Sequence, residues 1–127
     1  MQYAHARICS IFQKAAEEGI SLPDGPDGLL KRLGLEQEMT IIRNMAGFPA
    51  LLEDICRKQE PHRLTYYITD LAASFHRYFN LGLKTPEHRI VTQDRELSQA
   101  RLFLAKAIKI VIANGLGLLG VSAPERM

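Results

Sequence analysis

Residues 60–80 constrain this chain most, because their apolar side chains fall on one side of a single long helix and leave an unusual side free. Leu64, Tyr67, Ile68, Leu71, Phe75, Tyr78 and Phe79 recur at the helical spacing of about 3.6 residues per turn, so they form one stripe that needs a core to cover it. Half a turn round stand His62, Tyr66, Thr69, Ala73, Arg77 and Asn80, with His76 at the edge. An outer face of this length ordinarily carries Glu and Lys. This one carries a ring, a small residue, a cation and several hydrogen-bonding groups, the mixture with which proteins hold unstacked bases of RNA.

A length of 127 residues, 46% of them hydrophobic and 24% charged, predicts one domain over residues 1–127 that buries a core without disulfides or a structural metal. A net charge of +2 permits a polyanionic partner without requiring one, so any RNA contact has to use shape and stacking as well as charge. Cys9 and Cys56 lie in apolar helical patterns with no Cys-x-x-Cys pair around them and are expected to be reduced thiols. Apolar runs are interrupted well short of the roughly 18 residues of a membrane span, and no basic-then-apolar leader precedes them. The expectation is a cytoplasmic monomer that makes no membrane contact.

The flanking segments read as further helices. Over residues 3–18 the apolar positions Ala4, Ile8, Ile11, Phe12 and Ala15 make an amphipathic helix that opens without a lead-in, which suggests excision from something longer, with Tyr3 and Arg7 one turn apart near the junction. Residues 19–28 are turn chemistry, after which Asp27 can cap a short turn carrying Leu29, Leu30 and Leu33. Leu35, Met39, Ile42 and Met45 predict a second helix ending at Gly47. Pro49 starts a third, with Leu52, Ile55 and Cys56 on its inner side, and Glu60 and Pro61 end it. Residues 81–93 read as a loop. Thr92 or Asp94 is expected to cap a last helix with Leu97, Ala100, Leu104, Ile108, Val111 and Ile112 on one stripe and Leu102, Phe103 and Ile110 off it, the pattern of a central helix, broken by Gly115, Gly117 and Gly120. The fold class predicted is all-α, a bundle of four to five main helices with a short irregular C-terminal tail.

Catalytic motifs do not appear: neither glycine-rich phosphate cradle, no His-Glu-x-x-His pair and no Gly-x-Ser-x-Gly elbow. His62 and His76 stand roughly 20 Å apart along one helix and cannot share an ion. No cofactor or metal is therefore expected. Arg101 falls on the flank of the last helix's apolar stripe, where a guanidinium needs a partner; Glu60 and Asp70 are the candidates, with escape to water the alternative.

Taken together, Tyr-Ala-His-Ala-Arg at 3–7, Phe48 and Pro49, Glu60, Pro61 and His62, the helix over 67–79, Ala100, Arg101 and Leu102, and the ending over 119–127 resemble the C-terminal anticodon-binding domain, of DALR type, of bacterial arginyl-tRNA synthetases. The resemblance spans essentially the whole chain, and the terminal Ala-Pro-Glu-Arg-Met is its most specific part. It implies a helical domain that binds the anticodon stem-loop of tRNA(Arg) and reads its central C. The catalytic domain of the parent protein, which uses ATP and Mg2+ to ligate arginine to the tRNA, would lie outside this chain, leaving the chain without enzymatic activity alone. It also implies that Tyr3, the helix around Tyr66, Thr69 and Ala73, and Met127 lie at the RNA loop. Many relatives carry an aromatic at the position of Thr69, which makes Tyr66 the stacking residue here. With Arg7, His62, His76, Arg77 and Asn80 from the helical reading, these are the expected RNA-binding residues. The rival reading is a protein-interaction module using the Tyr66 face.

Overall fold

The computed structural model describes residues 2–22, 29–120 and 123. Among the described residues five α-helices follow one another: α1 (Gln2–Glu17), α2 (Glu36–Ala46), α3 (Phe48–Lys58), α4 (His62–Lys84) and α5 (Arg95–Leu118), with short 3-10 turns at Leu29–Arg32 and Pro86–His88. No strand occurs among the described residues. Helices α4 and α5 form the central pair, α1 lies across both, α2 closes a second side, and α3 leans on α2 and α4. The expected all-α bundle is therefore what forms.

Helix α4 buries the side its periodicity marks. Leu64, Ile68, Leu71, Phe75 and Tyr78 are buried, and Tyr67 and Phe79 pack at the margin. The two tyrosines of this stripe keep their hydroxyls satisfied: Tyr67 donates to the Asn44 carbonyl at 3.1 Å and stacks on Phe48, with ring centroids 5.1 Å apart. Tyr78 donates to Glu38 Oε2 at 2.5 Å. Asp94 is the cap of α5, accepting from the Leu97 N–H, while Thr92 Oγ1 accepts from the Asp94 N–H in the turn before it.

Several expectations need correction. Arg101 is paired neither with Glu60 nor with Asp70; its Nε donates to Glu38 Oε2 at 3.0 Å, and its Nη1 donates to the carbonyls of Glu87 and Arg89 at 2.7 and 2.6 Å. Glu38 is wholly buried and its other oxygen accepts the Leu35 N–H at the start of α2. That inward carboxylate turns α2 so that Glu38 and Ile41 face the core and Met39 faces water. Cys56 likewise points outward, and both cysteines are free thiols. Helix α3 ends at Lys58, as expected, with the turn made at Gln59 in the left-handed region at φ 56°, just before the Glu60 and Pro61 pair.

Gly82, in the stretch read as loop, and Gly115 and Gly117, read as breaks in the last helix, all sit inside helices, the first two where a neighbour comes close. At Gly82 a Cβ would lie 2.8 Å from Arg89 Cα, so α4 runs on to Lys84 and the 85–91 segment folds back over it. At Gly115 a Cβ would lie 2.4 Å from Ile68 Cδ1, so α5 continues past it to Leu118 while touching α4. The position of Asp27 lies outside the described residues, and Ile110 is half exposed.

Outside the core, Asp54 on α3 ties down the start of α4. It accepts from Arg57 at 2.8 Å and from Arg63 at 2.7 Å, with Lys58 at 3.4 Å. The Arg57 hydrogen bond first, then that of Arg63, hold its carboxyl far below the usual carboxylate range. The unfolded chain takes up this proton at about pH 4 and the folded chain only well below it, so the stabilisation exists above that pH and is lost as pH falls below it. Asp54→Asn is expected to lower stability at neutral pH and to converge with the parent chain in acid. Urea denaturation across a pH series checks this, and a gap independent of pH would show that the ion pairs contribute nothing.

Candidate nucleic-acid interface

The free side of α4 is displayed because the opposite side is saturated by packing. Along it, Tyr66 is 66% exposed, His62, Thr69, Arg77 and Asn80 are exposed, and Ala73 and His76 are half-buried. The seven helix positions expected from periodicity thus share one surface. His62 meets Tyr66 edge to face, with ring centroids 6.0 Å apart, and Tyr66 remains largely in solvent. Arg77 Nη2 donates to Ser74 Oγ at 3.1 Å, which holds the guanidinium near the helix while leaving it in water.

The N-terminal turn of α1 adds a second cluster. Tyr3, half exposed, lies with its ring centroid 5.5 Å from that of His76. Arg7 joins them: its Nη2 donates to the Tyr3 hydroxyl at 2.8 Å and its Nη1 lies 3.2 Å from His76 Nδ1. The same guanidinium sits over the Phe79 ring, 4.5 Å from the centroid. Burial, and then the charge of Arg7, hold His76 below its ordinary value, so the imidazole is neutral at pH 7. Beside this cluster an open groove of about 600 Å³ runs between α1 and α4, lined by Arg7, Ser10, Lys14 and Phe79 among others.

Nine of the ten expected RNA-binding residues therefore lie on α1 and α4, with Tyr3, Arg7 and His76 in direct contact and His62 paired with Tyr66. Thr69, Ala73, Arg77 and Asn80 share the α4 face without joining either cluster, and Met127 lies outside the described residues. Phe79 and Ser74 were missed. Phe79 reads as core from its spacing, and only the seating of α1 on α4 shows that its outer face carries Arg7. Ser74, three residues before Arg77, was legible as an i, i+3 partner.

Comparison with known proteins decides the family. The DALR anticodon binding domain matches residues 1–127. This chain belongs to that family. Over its full length it is 48% identical to an arginine–tRNA ligase of Geotalea uraniireducens and 46% identical to one of Geobacter metallireducens, covering 22% of each. Among solved structures, the Thermus thermophilus arginyl-tRNA synthetase superposes with a TM-score of 0.83 at 32% identity, over 99% of this chain and 20% of that one. The DALR domain described here thus spans about a fifth of the length of the relatives it matches.

Proposed function

We propose that this DALR domain binds the anticodon stem-loop of tRNA(Arg) through the exposed face of α4 and the N-terminal turn of α1, as part of an arginine–tRNA ligase. The observation that carries the reading is Tyr66, a large aromatic two-thirds exposed on the helix face opposite the core, in a chain of an anticodon-binding family. An anticodon loop presents splayed bases, and such bases are held by stacking, by hydrogen bonds to their edges and by neutralising nearby phosphates. Tyr66 supplies the stacking surface. Thr69 and Asn80 supply donors and acceptors, Ala73 leaves room for close approach, and Arg77 supplies charge.

The parent's activity, ligation of arginine to tRNA(Arg) with ATP and Mg2+ in the cytoplasm, would reside in the catalytic domain outside this chain. That placement is supported by two observations: no group of His, Cys, Asp and Glu able to hold a metal gathers among the described residues, and the sequence has no glycine-rich phosphate cradle. No helix among the described residues is long and apolar enough to cross a membrane. The domain acts as a monomer whose remaining partner is that catalytic domain.

Tyr66→Ala is expected to weaken binding of a labelled arginine stem-loop by about 1–3 kcal/mol with the thermal midpoint nearly unchanged. Arg77→Ala is expected instead to reduce the salt dependence of binding by about one phosphate contact. Fluorescence titration of the stem-loop at several salt concentrations checks both. Equal affinities and equal slopes for the parent chain and the two variants would mean that the α4 face is ordinary solvated surface.

A further inference from the structure

Helix α5 carries an apolar side that the core of this domain leaves uncovered. Of the residues off its main stripe, Leu102 is buried, but Phe103 is half-buried and Ile110 is 46% exposed. With Ala107, Asn114, Gly117 and Leu118, they recur at helical spacing and share one outward side about four turns long. Between residues 103 and 118 the only charges are Lys106 and Lys109, and Lys109 is drawn aside, its Nζ 5.3 Å from the centroid of the Phe12 ring. A helix side kept in water over this length ordinarily carries charge on most turns, and an apolar one marks a contact surface. The glycine on this side adds a second sign. Gly is less favourable than Ala within a helix, yet a Cβ at Gly117 would meet nothing within 4 Å among the described residues, unlike those at Gly82 and Gly115. The packing of the domain does not call for a glycine there, whereas a surface seated closely on α5 does.

The course of α1 identifies the occupant. Arg95 Nη2 donates to the Gly19 carbonyl at 2.7 Å and Gln99 Nε2 to the Ser21 carbonyl at 2.8 Å, so the end of α1 lies at the start of α5, while Phe12 lies at Lys109. Helix α1 thus runs antiparallel along α5. The ten residues from Phe12 back to Gln2 span about 15 Å and bring the start of α1 beside the C-terminal half of α5. This chain covers 22% of the ligases it matches, as their C-terminal part, so the remaining length is joined ahead of residue 1 and emerges beside the outward side of α5. We propose that this side, centred on Ile110 and Gly117, is the seat of the polypeptide that leads into α1 in the longer ligase. The seated surface is apolar, comes closest at Gly117 and gives Lys106 an acceptor. The inference rests on the chain being part of a ligase and makes no use of RNA binding by α4.

Cysteine alkylation tests it. Ile110→Cys is placed in the isolated 127-residue chain and in the full-length ligase, each is treated with N-ethylmaleimide, and modification at residue 110 is followed by mass spectrometry of its peptide, with Lys84→Cys as the exposed control. In the isolated chain both sites are expected to react readily; in the ligase Ile110→Cys is expected to slow on the order of tenfold while Lys84→Cys does not. Adding Gly117→Leu is expected to leave the thermal midpoint of the isolated chain nearly unchanged and to restore fast alkylation at residue 110 in the ligase. Equal rates at residue 110 in the two proteins overturn the proposal, as does a slowing shared equally by Lys84→Cys. Protection already present in the isolated chain and lost on dilution also overturns it, since α5 would then join two copies of the chain. Protection that survives Gly117→Leu overturns the close seat at Gly117. Failure of the stem-loop titrations removes the RNA reading and leaves this surface standing, and equal alkylation does the reverse.

Discussion

Glu38→Ala is expected to cost about 3–5 kcal/mol, the range for removing one member of a buried ion pair. Glu38 accepts the Tyr78 hydroxyl, Arg101 Nε and the Leu35 N–H, so its loss leaves three donors from three helices or their ends without an acceptor. Arg101 is 3% exposed and would keep its charge with only the carbonyls of Glu87 and Arg89 for company. Buried ion pairs can often be replaced by apolar residues of similar size without loss. Here that rescue is expected to be incomplete: in Glu38→Leu with Arg101→Met the buried Tyr78 hydroxyl is left without an acceptor, and a buried orphan of this kind costs about 1–3 kcal/mol. Urea denaturation of both variants measures this. A loss below about 1 kcal/mol for Glu38→Ala would mean that the network contributes little.

That network also shows where reading the chain as a pattern stops. Periodicity found α1, α4 and α5 because their apolar positions repeat at helical spacing over many turns, and it found the buried side of α4 residue by residue. It placed Met39 rather than Glu38 on the inner side of α2, since an apolar pattern assigns a carboxylate to water. Only the arrival of Arg101 and Tyr78 from two other helices makes Glu38 a core residue. The glycines failed for a related reason. A glycine in a helical pattern reads as a stop, yet Gly82 and Gly115 are there because Arg89 backbone and the Ile68 side chain occupy the space of a Cβ. Both errors concern contacts between segments far apart in the chain, which no local pattern records.

The candidate interface divides the same way. Its α4 half was legible because one face of one helix is a local property, and Tyr66, Thr69, Ala73, Arg77 and Asn80 fall on it by angle alone. The α1 half was legible only as a Tyr3 and Arg7 pair one turn apart. That His76 completes this pair depends on how α1 lies across α4, and so does the use of Phe79 as a seat for the guanidinium.

Leu71→Ala tests the other half of the argument, that the outer face of α4 is held in place by what its inner face buries. Leu71 is wholly buried, and truncation of such a leucine costs about 2–5 kcal/mol, more where the surroundings cannot close over the gap. Here closure is obstructed. Three residues away, Ile68 already occupies the space where a Cβ of Gly115 would stand, so α5 cannot approach α4 further at that level. The loss is therefore expected in the upper part of the range, and Leu104→Ala on the facing helix, at a buried position of the same cluster, is expected to behave alike. Lys84→Ala, at the exposed end of α4, is expected to fall within about 0.5 kcal/mol of the parent chain. Because the cavity lies on the side away from Tyr66, a folded Leu71→Ala chain at low temperature is expected to bind the stem-loop almost as the parent does. Denaturation midpoints and a cold titration of the same protein separate the two effects, and a Leu71→Ala loss smaller than that of Lys84→Ala would show that the buried face of α4 is assigned wrongly.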